Sequence, residues 1–188
     1  MASQRTSWTQ NADATLVVIA VLWAVFLVDW LLPVNLCALG IRPRELGGLL
    51  GIVLCPFLHA NLKHLIANSV ALFVLLSLSL TVGRLLTICA LLYVLLISGG
   101  TVWLLGRAGT VHVGASGLIF GLIGFLAASG ILRLEWRALA YAILALFLYG
   151  GSLFTLFENQ PGVSWLSHVG GFIGGILSAW WLRKMPAR

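Results

Sequence analysis

The chain has 188 residues, of which 61% are hydrophobic and only 9% are charged. An average soluble domain is about 45–50% apolar and about 25% charged, so the composition excludes a soluble globular protein, a disordered chain and a collagen-like repeat. The formal net charge is +6, but the eleven Lys and Arg residues form no basic stripe, which excludes nucleic acid as an expected partner. The composition predicts an integral membrane protein whose apolar surface is covered by membrane lipids.

Six apolar stretches are long enough to cross a bilayer as helices. A hydrocarbon core about 30 Å thick requires about 20 helical residues at about 1.5 Å each. Asp29 is the only Asp, Glu, Lys or Arg residue in the six stretches. Numbered as spans one to six, they lie at residues 15–34, 64–83, 85–105, 114–132, 138–156 and 163–182. The pattern predicts an all-α membrane protein with a six-transmembrane-helix bundle.

The segments outside the spans carry weaker signals. The start of the chain has no basic region before span one, which favours a retained anchor over a cleaved signal peptide. Residues 35–63 form a long loop whose apolar run, Leu49 to Leu58, is too short to cross the membrane. We expect that run to lie in the interface or to re-enter the bilayer edge. The three cysteines have no metal-binding spacing and are expected to be buried thiols, with a Cys37–Cys55 bridge left open.

The basic residues predict how the chain is oriented in the membrane. With the N-terminus inside, the cytoplasmic side carries seven Lys and Arg residues and the outer side carries four. Cytoplasmic loops are usually enriched in Lys and Arg, so both termini are predicted to be cytoplasmic. Spans two, four and six then all begin at the outer face.

Polar side chains that lipid tolerates poorly lie at the beginnings of those three spans. Span two opens with His59, His64 and Asn68, span four with Gly114-Ala115-Ser116-Gly117, and span six with His168. A serine, a histidine and further hydrogen-bond donors are the groups that acyl-transfer chemistry requires. Each residue alone has an ordinary explanation, such as a helix cap or an interhelical hydrogen bond. The occurrence of all these residues at one depth in the membrane predicts a catalytic site.

Small residues offer the close helix packing that such a site needs. Gly171 and Gly175 form a GxxxG motif in span six, and Gly117, Gly121 and Gly124 lie along one face of span four. Small residues let membrane helices approach each other closely. A serine on one helix must come within about 3 Å of a histidine on another. We therefore expect spans four and six to be in contact.

These motifs resemble the rhomboid family of intramembrane serine proteases, in its compact six-helix bacterial form. The resemblance extends from about Gly40 to the end of span six. It rests on an ordered set of motifs: Pro56-Phe57-Leu58-His59 with His64 and Asn68, then Gly114-Ala115-Ser116-Gly117, then His168 followed by Gly171 and Gly175. The fold that it implies is a rhomboid-like bundle.

The resemblance also implies roles for individual residues. Ser116 would be the nucleophile and His168 the general base of a Ser-His dyad. His64, Asn68 and the backbone N–H of Ser116 would form the oxyanion hole. His59 lies five residues before His64, off that helix face, and is expected to make structural hydrogen bonds. No metal or cofactor is implied, and the substrates would be transmembrane proteins.

Three positions depart from the family pattern. Residues 40–44 read Gly-Ile-Arg-Pro-Arg, where many relatives have a Trp-Arg pair. Phe120 stands one turn after the nucleophile, where relatives often have a tyrosine that stacks on the histidine. Ser167 replaces a frequent alanine. None of these changes removes a catalytic group.

The expected organisation is a cytoplasmic tail at 1–14, a six-helix rhomboid-like catalytic domain at 15–183 and a cytoplasmic tail at 184–188. The protein would be a multi-pass protein of the bacterial inner membrane, with its site open to the outer face and with loop 157–162, which contains Glu158, covering it. The alternatives are a non-catalytic rhomboid-like protein that binds transmembrane helices, and a small transporter. The sequence does not predict the oligomeric state.

Overall fold

A computed structural model describes residues 8–133, 136–149 and 164–186. Within these residues the secondary structure is helical, apart from one isolated β-bridge between Ile41 and His112. The helices are α1 Trp8–Leu31, α2 Leu50–Leu54, α3 Leu62–Val82, α4 Arg84–Leu105, α5 Ser116–Arg133, α6 Trp136–Tyr149 and α7 Trp165–Trp181.

Four of these helices, α1, α3, α4 and α5, are long and apolar enough to cross a membrane. They correspond to predicted spans one to four. Helix α7 lies within span six and has 17 residues. Span five is only partly covered, because residues 150–156 lie outside the described residues. An all-helical membrane protein is thus confirmed, and the count of six spans stays a prediction.

Helix α1 begins earlier than the sequence predicts. The apolar stretch starts at residue 15, but the helix already includes Trp8. Asn11 and Thr15 are fully buried, and the Ser77 hydroxyl of α3 donates a hydrogen bond to Thr15 Oγ1 at 3.2 Å. The polar start of α1 is therefore packed against the bundle, with Thr15 bonded to α3, which hydropathy alone does not indicate.

Helix α5 occupies the centre of the bundle and packs against α3, α4, α6 and α7. Its contact with α7 is the most extensive between any two described elements. A Cβ atom on Gly171 would collide with the carbonyl oxygen of Gly117, and one on Gly175 would collide with that of Gly121. The two backbones therefore touch. Lipid supplies no hydrophobic force between helices, so van der Waals contact between small residues holds them together.

The long loop after α1 is tied to the connection between α4 and α5. Ile41 and His112 exchange two backbone hydrogen bonds of 3.0 Å each. The Arg44 guanidinium donates to the carbonyls of Leu104 and Gly106 at the end of α4, at 3.0 and 2.8 Å. These bonds fix the loop beside the segment that leads into Ser116.

The apolar run of this loop forms α2 and two flanking 3-10 turns, Leu46–Gly48 and Cys55–Phe57. Its large side chains Leu46, Leu50 and Val53 are exposed, which suits a segment in the membrane interface. All three cysteines are free thiols, so the Cys37–Cys55 bridge is not formed. Only Cys55 is buried, and Cys37 and Cys89 are half-buried, so the prediction of buried thiols is correct for one of the three. Burial raises the pKa of the Cys55 thiol to about 12, so this cysteine is unreactive.

Candidate active site

Ser116 is the first residue of α5, and its side chain is half-buried. Its backbone N–H is one of the first four of the helix, which have no helical carbonyl four residues earlier to bond. Gly114, two residues before it, has φ +112°, a conformation that favours glycine. The Gly114 N–H donates to the Cys55 carbonyl at 2.8 Å, which anchors the turn that presents Ser116.

His64 and Asn68 lie one turn apart in the first half of α3. The helix begins after Asn61, whose side chain accepts a hydrogen bond from the His64 N–H at 2.9 Å. A Cβ atom on Gly114 would lie 2.7 Å from His64 Nε2 and 3.5 Å from Asn68 Nδ2. Both side chains therefore face the turn that precedes Ser116. His64 is also close enough to His168 for an electrostatic interaction.

His59 contacts Asn68 directly, although the sequence indicated that it lies off the site face. Its Nε2 is 2.9 Å from Asn68 Nδ2, and its ring meets the His64 ring edge-on with centroids 5.2 Å apart. An amide nitrogen only donates, so Nε2 accepts and the ring is in the neutral tautomer with hydrogen on Nδ1. Burial, followed by the nearby His64, lowers the pKa of His59 to about 4, which keeps that acceptor free of a proton.

His168 lies in the first turn of α7 and is buried. Its ring stacks on Phe120 with centroids 4.2 Å apart and planes inclined by 16°. Phe120 is one helical turn after Ser116, so the stack places His168 over the same face of α5 as the serine. The stack needs only a ring, so phenylalanine fills the position where many relatives have tyrosine.

Serine side chains hold the first turn of α7 against α4. The Ser98 hydroxyl donates to the Ser167 carbonyl at 2.9 Å, and the two hydroxyls are 3.1 Å apart. A Cβ atom on Gly117 would collide with both hydroxyls, so glycine is required there for α4, α5 and α7 to meet. The serine at position 167, which departs from the family pattern, therefore adds a hydrogen bond between α7 and α4.

The predicted catalytic and oxyanion-hole residues lie together at one end of the bundle, near the beginnings of α3, α5 and α7. Asp29 accepts from the Leu36 N–H at 2.6 Å and Glu45 pairs with Arg42 at 3.1 Å, so these two carboxylates are engaged elsewhere. Glu158 and the loop 157–162 lie outside the described residues. In the part of the chain that the structure describes, no group of three His, Cys, Asp or Glu could hold a metal ion.

Two polar residues near the site were not singled out by the sequence. His112 lies four residues before Ser116, and Ser164 lies four residues before His168. Their side chains are joined by a hydrogen bond of 2.7 Å. Only the matching offset from the two predicted catalytic residues could have drawn attention to them.

Comparison with known proteins identifies the family of the chain. The model of the Rhomboid domain matches residues 46–185. An uncharacterized protein of Mycobacterium tuberculosis is 35% identical over 194 residues, 99% of this chain and 80% of the relative. A Bacillus subtilis protein whose name describes it as a candidate rhomboid protease is 30% identical over 172 residues, 84% of this chain and 81% of the relative. The protein is a helical membrane protein, and it belongs to the rhomboid family.

Proposed function

We propose that the protein is an intramembrane serine protease that hydrolyses peptide bonds in or beside the transmembrane segments of other membrane proteins. The observation that carries this proposal is the stacking of His168 on Phe120, one turn after Ser116 at the N-terminus of α5. Family membership and the name of the Bacillus subtilis relative support it. The non-catalytic alternative would be expected to lack the serine or the histidine, and this chain has both.

In the proposed reaction His168 takes the proton of the Ser116 hydroxyl as Oγ attacks the scissile carbonyl carbon. The tetrahedral intermediate collapses, His168 returns the proton to the leaving amine, and an acyl-enzyme on Ser116 remains. A water molecule, deprotonated by His168, then attacks the ester carbonyl and releases the carboxylic acid product and free Ser116. Among the described residues, Asp29 and Glu45 have other partners, and the proposed mechanism uses a dyad.

The intermediate places a negative charge on the former carbonyl oxygen, and fixed donors must stabilise it. We assign this role to the backbone N–H of Ser116 and to the side chains of His64 and Asn68. The contact of His64 and Asn68 with Gly114 supports the assignment, because it puts both groups beside the turn before the nucleophile. Asn68 gives one of its two amide hydrogens to His59, which leaves the other for the oxyanion.

The proposed membrane arrangement has six spans, cytoplasmic termini and the site open to the outer face of a bacterial inner membrane. The excess of Lys and Arg on the inner side supports it. Water for the second step would then enter from the outer face, since α3, α5 and α7 all begin there. Substrates would reach the site from the surrounding lipid.

Covalent labelling by a fluorophosphonate tests the proposal. The reagent phosphonylates a serine hydroxyl only where a base activates it, so the purified wild-type protein is expected to be labelled in detergent. The Ser116→Ala and His168→Ala variants should not be labelled. Ser178→Ala, which removes a buried α7 hydroxyl that bonds only its own helix, is the matched control and should label fully. Equal labelling of wild type and Ser116→Ala would contradict the proposal.

A further inference from the structure

His112 and Ser164 form a hydrogen bond at the end of the bundle where the candidate active site lies. The distance from His112 Nδ1 to Ser164 Oγ is 2.7 Å, and the two residues are 52 positions apart in the chain. His112 belongs to the loop that leads into α5, and Ser164 immediately precedes α7. The bond therefore joins the two segments from which the nucleophile and the general base project.

The neighbours of His112 define which atom donates. The Thr110 hydroxyl donates its single hydrogen to the Arg107 carbonyl at 2.6 Å. At the 2.9 Å contact between Thr110 Oγ1 and His112 Nε2, the hydroxyl oxygen must accept, so Nε2 carries the hydrogen. A neutral imidazole then has an acceptor at Nδ1, and the Ser164 hydroxyl donates to it. Burial lowers the pKa of His112, which favours this neutral form.

Both residues are held on their backbone side as well. The His112 N–H and carbonyl pair with Ile41, which fixes the loop against the long segment after α1. The Ser164 carbonyl accepts from the N–H groups of Ser167 and His168 at 2.9 and 3.2 Å. The Ser164 side chain makes no capping bond to α7. Its bond to His112 is thus a tertiary contact rather than part of the helix start.

Besides the stacking of Phe120 on His168, two kinds of contact connect α5 and α7. The glycine contacts begin with Gly171 against Gly117 and continue along the two helices with Gly175 against Gly121. The His112–Ser164 bond joins the chain just before each helix begins. The Ser98–Ser167 hydrogen bonds hold the first turn of α7 to α4. The His112–Ser164 bond ties the start of that turn to the segment that presents Ser116, so without it the turn that carries His168 could shift relative to Ser116. A displacement of about 1 Å at a reacting group can lower a rate about a hundredfold.

We propose that His112 and Ser164 are positioning residues that fix His168 relative to Ser116. This inference rests on the proposed protease function. The hydrogen bonds of the two residues are to each other, to Thr110 and to backbone groups, so in this role they act on the dyad indirectly. They act through the first turn of α7, so their loss changes the rate of the chemical step and leaves substrate binding intact.

The test compares kcat and KM for cleavage of a model transmembrane substrate by the full-length protein in detergent. Ser164→Ala is expected to lower kcat about tenfold with KM unchanged, the effect of one neutral hydrogen bond on the geometry of the dyad. Ser164→Thr keeps the hydroxyl and should restore kcat. Ser178→Ala, the matched serine deletion on α7, should leave both constants at the wild-type values.

A double-mutant cycle separates positioning from a general loss of stability. His112→Phe keeps the ring shape and the backbone pairing with Ile41 but removes the acceptor. The double variant should then be no slower than either single variant, because both changes remove one bond. If the wild type is active but kcat is unchanged in Ser164→Ala, the positioning role is overturned and the proposed function is not. The same holds if the losses of the two single variants add up in the double variant. A wild type that cleaves nothing would overturn the proposed function and this inference with it.

Discussion

At the scale of single residues, a chain of contacts runs from His59 through Asn68 to the turn before Ser116. Asn68 is buried, and its amide is held by His59 while it faces Gly114. An amide fixed before the reaction needs no reorganisation when the oxyanion forms, which is what makes such donors effective. In the proposed site His59 therefore orients the Asn68 donor, in addition to filling the space next to His64.

The oxyanion-hole assignment predicts a specific kinetic pattern. Asn68→Ala and His64→Ala should each lower kcat by about 10² to 10³ while KM changes little, because the lost hydrogen bond forms only as the intermediate forms. His59→Ala should act mainly through stability, with a smaller loss of kcat. Steady-state kinetics on the purified variants, with melting temperatures as the control for folding, measure both effects. Loss of substrate affinity with intact kcat would show that His64 and Asn68 hold the substrate instead.

The lowered pKa of His59 predicts a loss of stability in acid. In the unfolded chain this histidine titrates near its ordinary pKa of about 6.5, and in the folded protein near about 4. Between those values the unfolded chain binds more protons, so the free energy of unfolding falls as the pH decreases. The contribution of His59 to the free energy of unfolding is fully present above about pH 6.5.

Melting temperatures measured from pH 7 to pH 4 test this expectation. The melting temperature of the wild type should decrease across the interval, and that of His59→Gln should decrease less, since glutamine does not titrate. His112 also has a lowered pKa and adds a loss of the same sign, so a residual decrease in the variant is expected. A pH profile identical in the two proteins would contradict the assignment to His59.

At the scale of helices, the backbone contact between α5 and α7 determines the site geometry. The Cβ atom of any other residue at Gly171 or Gly175 would meet a carbonyl oxygen of α5, which cannot rotate away as a side chain can. The helices would have to separate. Because His168 lies one turn before Gly171 and Ser116 immediately before Gly117, such a separation moves the two functional groups apart.

Replacement of this glycine by alanine should therefore lower both activity and stability. Gly171→Ala is expected to reduce kcat by about a hundredfold and to lower the melting temperature. Gly100→Ala on α4 is the matched control, because a Cβ atom there has no neighbour within 4 Å. The control should retain wild-type activity and melt at the same or a higher temperature, since alanine is the better helix former. Equal behaviour of the two variants would show that Gly171 is not a close-contact position.

At the scale of the whole molecule, hydropathy predicted the helices that lipid surrounds, and motif spacing predicted which residues share one end of the bundle. The apolar stretches at 64–83 and 85–105 match α3 and α4 closely, because a membrane helix is marked by its own composition. The early start of α1 and the His112–Ser164 bond were not predictable. Both depend on side chains that meet only after folding, and nothing in the local sequence records the partner.

The proposed topology makes a prediction for the intact molecule in its membrane. Single cysteines introduced in loop 35–63, in a variant with the three native cysteines replaced, should react with a membrane-impermeant maleimide in whole cells. Cysteines at Arg133 or Lys184 should react only after the membrane is opened, because the proposed topology places those basic segments in the cytoplasm. The reverse labelling pattern would place the site on the cytoplasmic side.

The central claim is that Ser116 and His168 hydrolyse peptide bonds as one unit. The most direct measurement is the cleavage of a model transmembrane substrate by purified wild type, Ser116→Ala, His168→Ala and the double variant, with each product identified by mass spectrometry. We expect cleavage by the wild type and losses in the single variants as large as in the double variant, since removing either partner disables the pair. Undiminished cleavage by Ser116→Ala or His168→Ala would contradict the account.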